Sequence, residues 1–206
     1  MTMRLTNWGY SVDGTLSDFI TETEFNTFTA SKYTGDSRIS SNIKAATAAI
    51  RNYCGWHLYP ELPCRVSMTF FDRRVAAVKN GLLLQLSSKF VTGITRITIN
   101  GEECEKYTLD PNGLLKVYDA PAGCEESTPI EVEYTAGLPE DLMGAIKELT
   151  AHRVTHALAS SYGITSEAAG GVSITYNAGW GANSRSTNLP DDNKEVLTPY
   201  RIGGVF

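Results

Sequence analysis

The spacing of the apolar residues changes twice along the chain, and no other feature constrains the fold as strongly. Between Ile39 and Ile50 apolar side chains recur every three to four residues, which is the period of an amphipathic helix. From Cys64 to about Ala136 they lie in short β-branched runs bounded by turn residues, which is typical of strands. Helical spacing returns after Leu138. The sequence therefore predicts an α+β protein.

The helical spacing predicts three helices that together form a scaffold. They are expected at about residues 37–54, 139–161 and 189–198. Asp36 or Ser37 can cap the first helix with a side-chain oxygen. We expect the isoleucines of this Ala-rich helix to pack on the second helix through Leu142, Ile146 and Leu149.

The strand-like runs predict an antiparallel β module at residues 64–136. The runs lie at residues 65–71, 81–86, 91–99, 107–109, 114–118 and 130–134. Two connections contain Asn-Gly, at positions 100–101 and 112–113. Both residues tolerate the positive φ that tight hairpins require. Neighbouring strands are therefore expected to pair antiparallel.

The order of the elements predicts three parts of the chain. Residues 1–35 show no sustained period and are expected to form an irregular N-terminal arm, whose scattered aromatic residues pack on something. Residues 36–63 and 137–206 are expected to form the helical scaffold. The β module of residues 64–136 would then be an insertion in that scaffold.

The charge balance argues against a protein that grips nucleic acid. The 206 residues include 18 Lys and Arg against 23 Asp and Glu, which leaves a formal net charge of −5. Binding DNA through its phosphates requires a clustered excess of basic residues.

No apolar run approaches the roughly 18 residues of a membrane-spanning helix, and residues 1–8 lack the apolar region of a signal peptide. We expect cytoplasmic synthesis and no membrane span.

The best metal-binding pattern is Glu148, His152 and His156, spaced four residues apart on the predicted second helix. A zinc protease needs His-Glu-x-x-His, but Arg153 follows the first histidine here. A cation cannot serve as the general base. We therefore expect no bound metal and histidines that pack or lie in an interface.

The best nucleophile pattern is Cys54 with His57, three residues apart at the end of the first helix. Apolar neighbours surround both, so a hydrophobic helix cap is the expected arrangement. No Gly-x-Ser-x-Gly motif or phosphate-binding loop is present, and no two of the four cysteines have CxxC spacing. Reduced thiols are expected, although a pairing of Cys54 with Cys64 stays open. The sequence predicts neither an enzyme nor a cofactor.

Two segments look suited to contact another protein. Trp180 lies between two glycines in a predicted loop, where it can anchor in a partner's pocket or fold back onto its own core. Residues 200–206 are apolar and aromatic, so they are expected to dock. The predicted partner-contacting residues are Trp180, Leu197, Tyr200, Arg201, Ile202, Val205 and Phe206.

Two motifs and the helix between them resemble the head-tail connector (adaptor) proteins of tailed bacteriophages. The first helix leads into Tyr53-Cys-Gly-Trp-His-Leu-Tyr-Pro60, and the chain later has Leu189-Pro-Asp-Asp-Asn-Lys-Glu-Val-Leu-Thr-Pro-Tyr-Arg201. The intervening helix is the one predicted from Glu140 to Ser161. The resemblance covers about half of the chain, and the order of the motifs carries it.

The resemblance implies a structural virion protein. It implies a homo-oligomeric ring, dodecameric in most family members, that binds the portal protein and then a stopper or tail-completion protein. Assembled in the host cytoplasm, such a ring extends the channel through which DNA leaves, without binding the DNA specifically. On this interpretation the C-terminal segment contacts the portal. The alternatives are another neck or tail-completion protein, or a carbohydrate-binding β module or enzyme.

Overall fold

The computed structural model describes residues 2–4, 9–121, 124–159, 166–169, 172–175 and 191–202. Contacts within the chain define two compact units. The sheet unit comprises residues 1–17, 54–142 and 200–206. The helical unit comprises residues 18–53 and 143–199.

Strands account for most of the regular structure. In chain order they are β1 (Thr2–Arg4), β2 (Tyr10–Asp13), β3 (Leu62–Thr69), β4 (Val75–Val78), β5 (Gly81–Gln85), β6 (Val91–Ile99), β7 (Glu102–Glu103), β8 (Tyr107–Asp110), β9 (Leu114–Val117), β10 (Pro129–Ala136), β11 (Ser166–Ala169) and β12 (Val172–Thr175). The helices are α1 (Glu22–Phe28), α2 (Ile39–Cys54), α3 (Gly144–Ala159) and α4 (Asp191–Leu197).

The sheet unit contains a six-stranded and a four-stranded antiparallel sheet. The first has the order β1-β2-β3-β10-β6-β7, and the second has the order β4-β5-β9-β8. In the first sheet, Val66 of β3 pairs with Val132 of β10, which in turn pairs with Ile97 of β6. These three side chains are buried, whereas Arg65 and Glu131 on the alternate positions are exposed. The two-residue period therefore gives this sheet one apolar face and one solvated face.

Each sheet contains a hairpin turn that requires residues with positive φ. Asn100 and Gly101 join β6 to β7 with φ of 53° and 82°, as expected for an Asn-Gly turn. At the start of β5, a Cβ on Gly81 would lie 2.0 Å from the carbonyl oxygen of Val117. Only glycine fits that position, because a side chain would collide with the neighbouring strand.

The helical unit has its own apolar core. The core cluster consists of Ile20, Phe25, Ile39, Ile43, Ala46, Ala151, Val154 and Leu158. Helix α1 begins with a capping box, in which the Thr21 hydroxyl accepts from the Glu24 amide and the Glu24 carboxylate accepts from the Thr21 amide. Lys147 of α3 donates to Glu24 at 2.9 Å. Strands β11 and β12 pair with each other in a separate two-stranded sheet.

The predicted fold class is wrong, because the described part of the chain is mostly antiparallel sheet and contains no long helical scaffold. Helices α2 and α3 are only 16 residues long each. Part of the predicted N-terminal arm is also sheet, since β2 pairs with β3 inside the six-stranded sheet. With four residues, β2 is too short to produce a recognisable period in the sequence.

The expected pairing of the two longer helices is wrong for Leu142. Glu140–Leu142 forms a 3₁₀ turn rather than the start of α3, and Leu142 is 40% exposed. The cluster that contains Ile39 and Ile43 includes Ala151, Val154 and Leu158 of α3, and the predicted Ile146 and Leu149 are also buried. Pro139 allowed a helix start in the sequence, but the α-helical hydrogen bonds begin later in the chain.

All four cysteines lie within the described residues, and all are free thiols. The Cys54–Cys64 pairing that the sequence left open is therefore absent. No helix in the described part of the chain is long and apolar enough to cross a lipid bilayer.

Candidate partner interface

A buried polar network lies in the core of the sheet unit. Tyr10 of β2 contacts His57, Cys64 and Ser88, and Ser88 in turn contacts Tyr134 of β10. All five side chains are buried. A buried polar atom is costly unless it is hydrogen-bonded, so these residues must bond to one another.

The donor and acceptor of each main hydrogen bond in this network can be assigned from its partners. Nε2 of His57 lies 2.8 Å from the Pro60 carbonyl and 3.0 Å from the Ala136 carbonyl, so Nε2 carries the proton and donates. Nδ1 therefore accepts from the Tyr10 hydroxyl at 2.6 Å. The Ser88 hydroxyl donates to Tyr10 at 3.1 Å, which leaves Tyr134 to donate to Ser88, also at 3.1 Å.

The electrostatics of the network favour neutral groups. Burial, followed by the proximity of Tyr134 and Cys64, raises the pKa of Tyr10 well above its usual value. Burial also raises the pKa of Tyr134. Burial raises the pKa of Cys64 to about 11, although its contact with Tyr10 opposes this. Neutral hydroxyls and a protonated thiol suit a structural network that ties β2, β3 and β10 together.

The predicted Cys54 and His57 pattern is divided between two different environments. Cys54 is buried, and burial raises its pKa to about 12 despite the nearby Lys89 and Arg201. His57 instead belongs to the polar network with Tyr10. A thiol with this pKa is protonated near neutral pH and is a weak nucleophile.

The histidines of α3 lie close together on one side of the helix. The rings of His152 and His156 are 6.4 Å apart, with His152 exposed and His156 half-buried. Glu148 on the same helix is exposed. Within the described residues, no group of three or more His, Cys, Asp or Glu side chains is arranged to hold a metal ion.

The segment after α4 is docked onto the sheet unit. Trp56 donates its indole N–H to the Tyr200 carbonyl at 2.7 Å, and the Ile202 amide donates to the Cys54 carbonyl at 3.0 Å. Phe90 stacks with Trp56 at a centroid distance of 6.5 Å and contacts the Tyr200 ring at 6.3 Å. Residues 200–202 therefore have a fixed position on their own subunit.

The predicted partner-contacting residues have different surroundings. Leu197 is fully buried, Tyr200 and Ile202 are half-buried, and Arg201 is exposed between them. Trp180, Val205 and Phe206 lie outside the described residues. The structure thus brings Tyr200 and Ile202 together at the docked segment, with Arg201 accessible to a partner.

A second exposed surface lies around the four-stranded sheet. Phe71, in the loop before β4, is 74% exposed, and it lines an open groove of about 390 Å³. Tyr107 of β8 and Tyr118 are about two-fifths exposed. The ring of Tyr118 also lies under the Lys116 ammonium at 4.8 Å. Exposed aromatic side chains are common at protein interfaces.

Comparison with known proteins finds a family that this chain matches. A family model for the head completion protein matches residues 18–202. The chain belongs to the head completion protein family. A search of curated proteins finds no matching sequence.

Membership confirms the resemblance to phage head-tail connector proteins that the sequence indicated. Head completion proteins are structural components of the bacteriophage virion, associated with other parts of the head and tail. The match also includes both segments on which the resemblance was based, residues 53–60 and 189–201.

Sequence reasoning missed two features of this head completion protein. Tyr10 and Ser88 lie 47 and 31 positions from His57, so no local spacing connects the three residues. The exposure of Phe71 was equally hidden, because the predicted strand at residues 65–71 included it. The turn residues Asp72 and Arg73 that follow Phe71 were the available signal for a loop.

Proposed function

We propose that this head completion protein is an adaptor. In this proposal it forms a dodecameric ring on the capsid portal, meets the stopper or tail-completion protein, and extends the DNA exit channel. The family match over residues 18–202 carries the proposal, because it spans both segments that resemble adaptor proteins. A net charge of −5 suits a channel through which DNA passes without specific binding.

The docked C-terminal segment supports a portal contact at this end of the chain. The hydrogen bonds from Trp56 and to Cys54 hold residues 200–202 in place. Residues that follow Ile202 therefore start from a defined point on the sheet unit. Holding the base of a binding segment reduces the conformational entropy that is lost when the segment binds.

Different residues of the proposed interface have different roles. Arg201 is exposed and can pair with a carboxylate or carbonyl of the portal. Val205 and Phe206 supply apolar side chains, each worth about 1.5 to 3 kcal/mol when fully buried by a partner. Tyr200 and Ile202 position the segment. Leu197 supports α4 from within, and Trp180 is proposed as a second contact.

A truncation tests the portal contact. Deleting residues 203–206 keeps Tyr200 and Ile202 on Trp56 and Cys54, so the variant should fold normally but lose binding to purified portal rings. Removing residues 199–206 is less informative, because it also deletes the acceptor of the Trp56 indole bond.

Calorimetry against portal rings measures the affinity, and circular dichroism with urea unfolding checks the fold. The matched control replaces Lys194 with Ala on α4, which keeps the C-terminal residues and should leave portal affinity unchanged. Full portal affinity in the truncated protein would reject the proposed contact.

A further inference from the structure

The four-stranded sheet has an open strand at each edge. Its order is β4-β5-β9-β8, and in the described part of the chain no strand pairs with the outer side of β4 or of β8. The backbone N–H of Gln85 donates to the Arg74 carbonyl at 2.8 Å, so Arg74 and Gln85 are a hydrogen-bonded pair. Because hydrogen-bonded and non-hydrogen-bonded pairs alternate along antiparallel strands, the backbone N–H and C=O groups of Val75 and Ala77 point away from β5. The backbone N–H of Tyr118 donates to the Lys106 carbonyl at 2.8 Å. By the same alternation, the backbone N–H and C=O groups of Tyr107 and Leu109 point away from β9.

The β4 edge is short, and its residues include none of those that usually block pairing at the edge of a sheet. Its sequence, Val75-Ala-Ala-Val78, contains no charge, proline or glycine. Ala77 is exposed at its centre. Proteins normally block such an edge with lysine, proline or a bulge, because an open apolar strand pairs with other strands. An edge of this kind is therefore expected to have a partner strand.

The sheet itself supplies a strand of suitable direction. Each neighbouring pair in the sheet is antiparallel, so the first strand β4 and the fourth strand β8 run in opposite directions. A rotation about an axis roughly parallel to the strands keeps the strand directions unchanged. A second copy related to the first by such a rotation can therefore place its β8 beside β4 of the first copy, and the two strands are antiparallel. We infer that β4 of one copy pairs with β8 of the next. This inference rests on the proposed ring and names its subunit contact.

One register satisfies both the hydrogen bonds and the apolar rows. Val75, Leu84, Leu115 and Leu109 form one row across the sheet, and Ala77, Leu82, Val117 and Tyr107 form the next. Placing Leu109 of one copy opposite Val75 of its neighbour continues the first row, and Tyr107 then lies opposite Ala77. All four of these edge residues turn their peptide groups outward. The Val75 amide already donates to Asp72 at 2.8 Å, so the register forms three inter-subunit hydrogen bonds.

Charges at both ends of the two strands match in this register. Lys79, just after β4, lies opposite Glu105, just before β8. At the other end Arg73 lies near Asp110, and all four side chains are exposed. Pairing β4 with another β4 instead would place Arg73 near Lys79, which gives like charges at both ends. The charge pattern therefore favours the β4 to β8 contact.

The groove beside the start of β4 is placed to receive the residues that follow β8. It is lined by Phe71, Arg73, Val75, Ala76 and Glu126, among others. In the antiparallel register the end of β8 lies at this end of β4. Exposed Pro111 can then cover Phe71 while Asp110 approaches Arg73. The groove thus extends the contact beyond the two paired strands.

A disulfide crosslink between neighbouring copies tests the contact. Ala76 and Thr108 form a non-hydrogen-bonded pair in the register, with Cα atoms expected about 4.5 Å apart. That distance lies within the range of a disulfide bond. We would oxidise the purified double variant Ala76→Cys/Thr108→Cys, each single variant, and the unmodified protein. The matched control is Ala76→Cys/Lys106→Cys, whose diagonal distance of about 8 Å is too long for a disulfide.

The inference predicts a ladder of covalent dimers, trimers and larger species from the double variant. A mixture of the two single variants should give covalent dimers only, and each single variant alone should give none. Absence of the ladder, dimers from either single variant alone, or an equal ladder from the Lys106 control would overturn the contact. Rings seen without a ladder would reject only this contact, whereas a ladder without portal binding would reject the proposed function.

Discussion

Tyr10 connects most of the polar network in the sheet unit. Its hydroxyl donates to His57, accepts from Ser88 and lies 3.5 Å from the Cys64 sulfur. The residue joins strand β2 to the core although the family match begins only at residue 18. Strand β2 therefore contributes a side chain on which the central sheet depends.

Replacing Tyr10 with Phe removes this connection while keeping the ring. His57 Nδ1 loses the donor of its 2.6 Å bond, and the Ser88 hydroxyl loses one of its two tyrosine contacts while keeping the one to Tyr134. We expect the free energy of unfolding to fall by about 1 to 3 kcal/mol. Urea unfolding measures the change. Tyr107→Phe, which alters an exposed tyrosine, is the control, and equal midpoints for the two variants would contradict the network.

The role of His57 could not be predicted from the residues next to it in the sequence. Its proximity to Cys54 in the sequence suggested a nucleophile pattern, whereas its hydrogen bonds go to Tyr10 and Ala136 in distant strands and to nearby Pro60. Burial could be predicted from the apolar neighbours Trp56 and Leu58. The direction of the hydrogen bonds depends on tertiary structure, which spacing does not encode.

The helical unit depends on contacts of α3 that lie beyond the predicted ones. Leu158 is buried in the cluster with Ile39 and Ile43, whereas Leu142 is 40% exposed in the 3₁₀ turn. Replacing each of these two leucines with alanine therefore tests which of them belongs to the apolar core.

We expect Leu158→Ala to destabilise the protein by about 2 to 5 kcal/mol, because it leaves a cavity in the apolar core. Leu142→Ala should cost much less, since part of that side chain is already in water. Urea unfolding of the two variants under identical conditions provides the comparison. A larger effect at Leu142 than at Leu158 would contradict the assigned core.

The elements of residues 64–136 could be predicted well from the sequence. β-branched alternation and Asn-Gly turns are local signals, and β6 has the bounds expected for the run at residues 91–99. Short strands such as β2, β4 and β7 were missed, because two to four residues carry too little periodicity. The start of α3 was also misplaced, because a proline permits a helix without specifying where its hydrogen bonds begin.

For the molecule as a whole, the family could be predicted from the sequence, but the fold class was predicted wrongly. The order of the segments around Trp56 and Tyr200 indicated a phage connector, and the family match confirms that resemblance. The fold was misjudged because helical periods are easier to recognise than short strands, so helices received too much weight. The division into segments at residues 36, 64 and 137 stays a prediction.

The observed sheets suggest how one subunit can serve an assembly. In the six-stranded sheet, Glu133 pairs with Arg65 and Arg96 on the solvated face. The four-stranded sheet offers two open edges, and the docked C-terminal segment offers a separate surface. Contacts between subunits and contacts with the portal can therefore use different parts of the chain.

Electron microscopy of purified portal rings mixed with the full-length protein tests the adaptor role most directly. If the protein is an adaptor, class averages should show a second ring that lies coaxially on the portal and lengthens its central channel. Portal rings alone provide the reference. Averages that show unchanged portals at saturating protein, or added density that lies off the channel axis, would rule out the adaptor role.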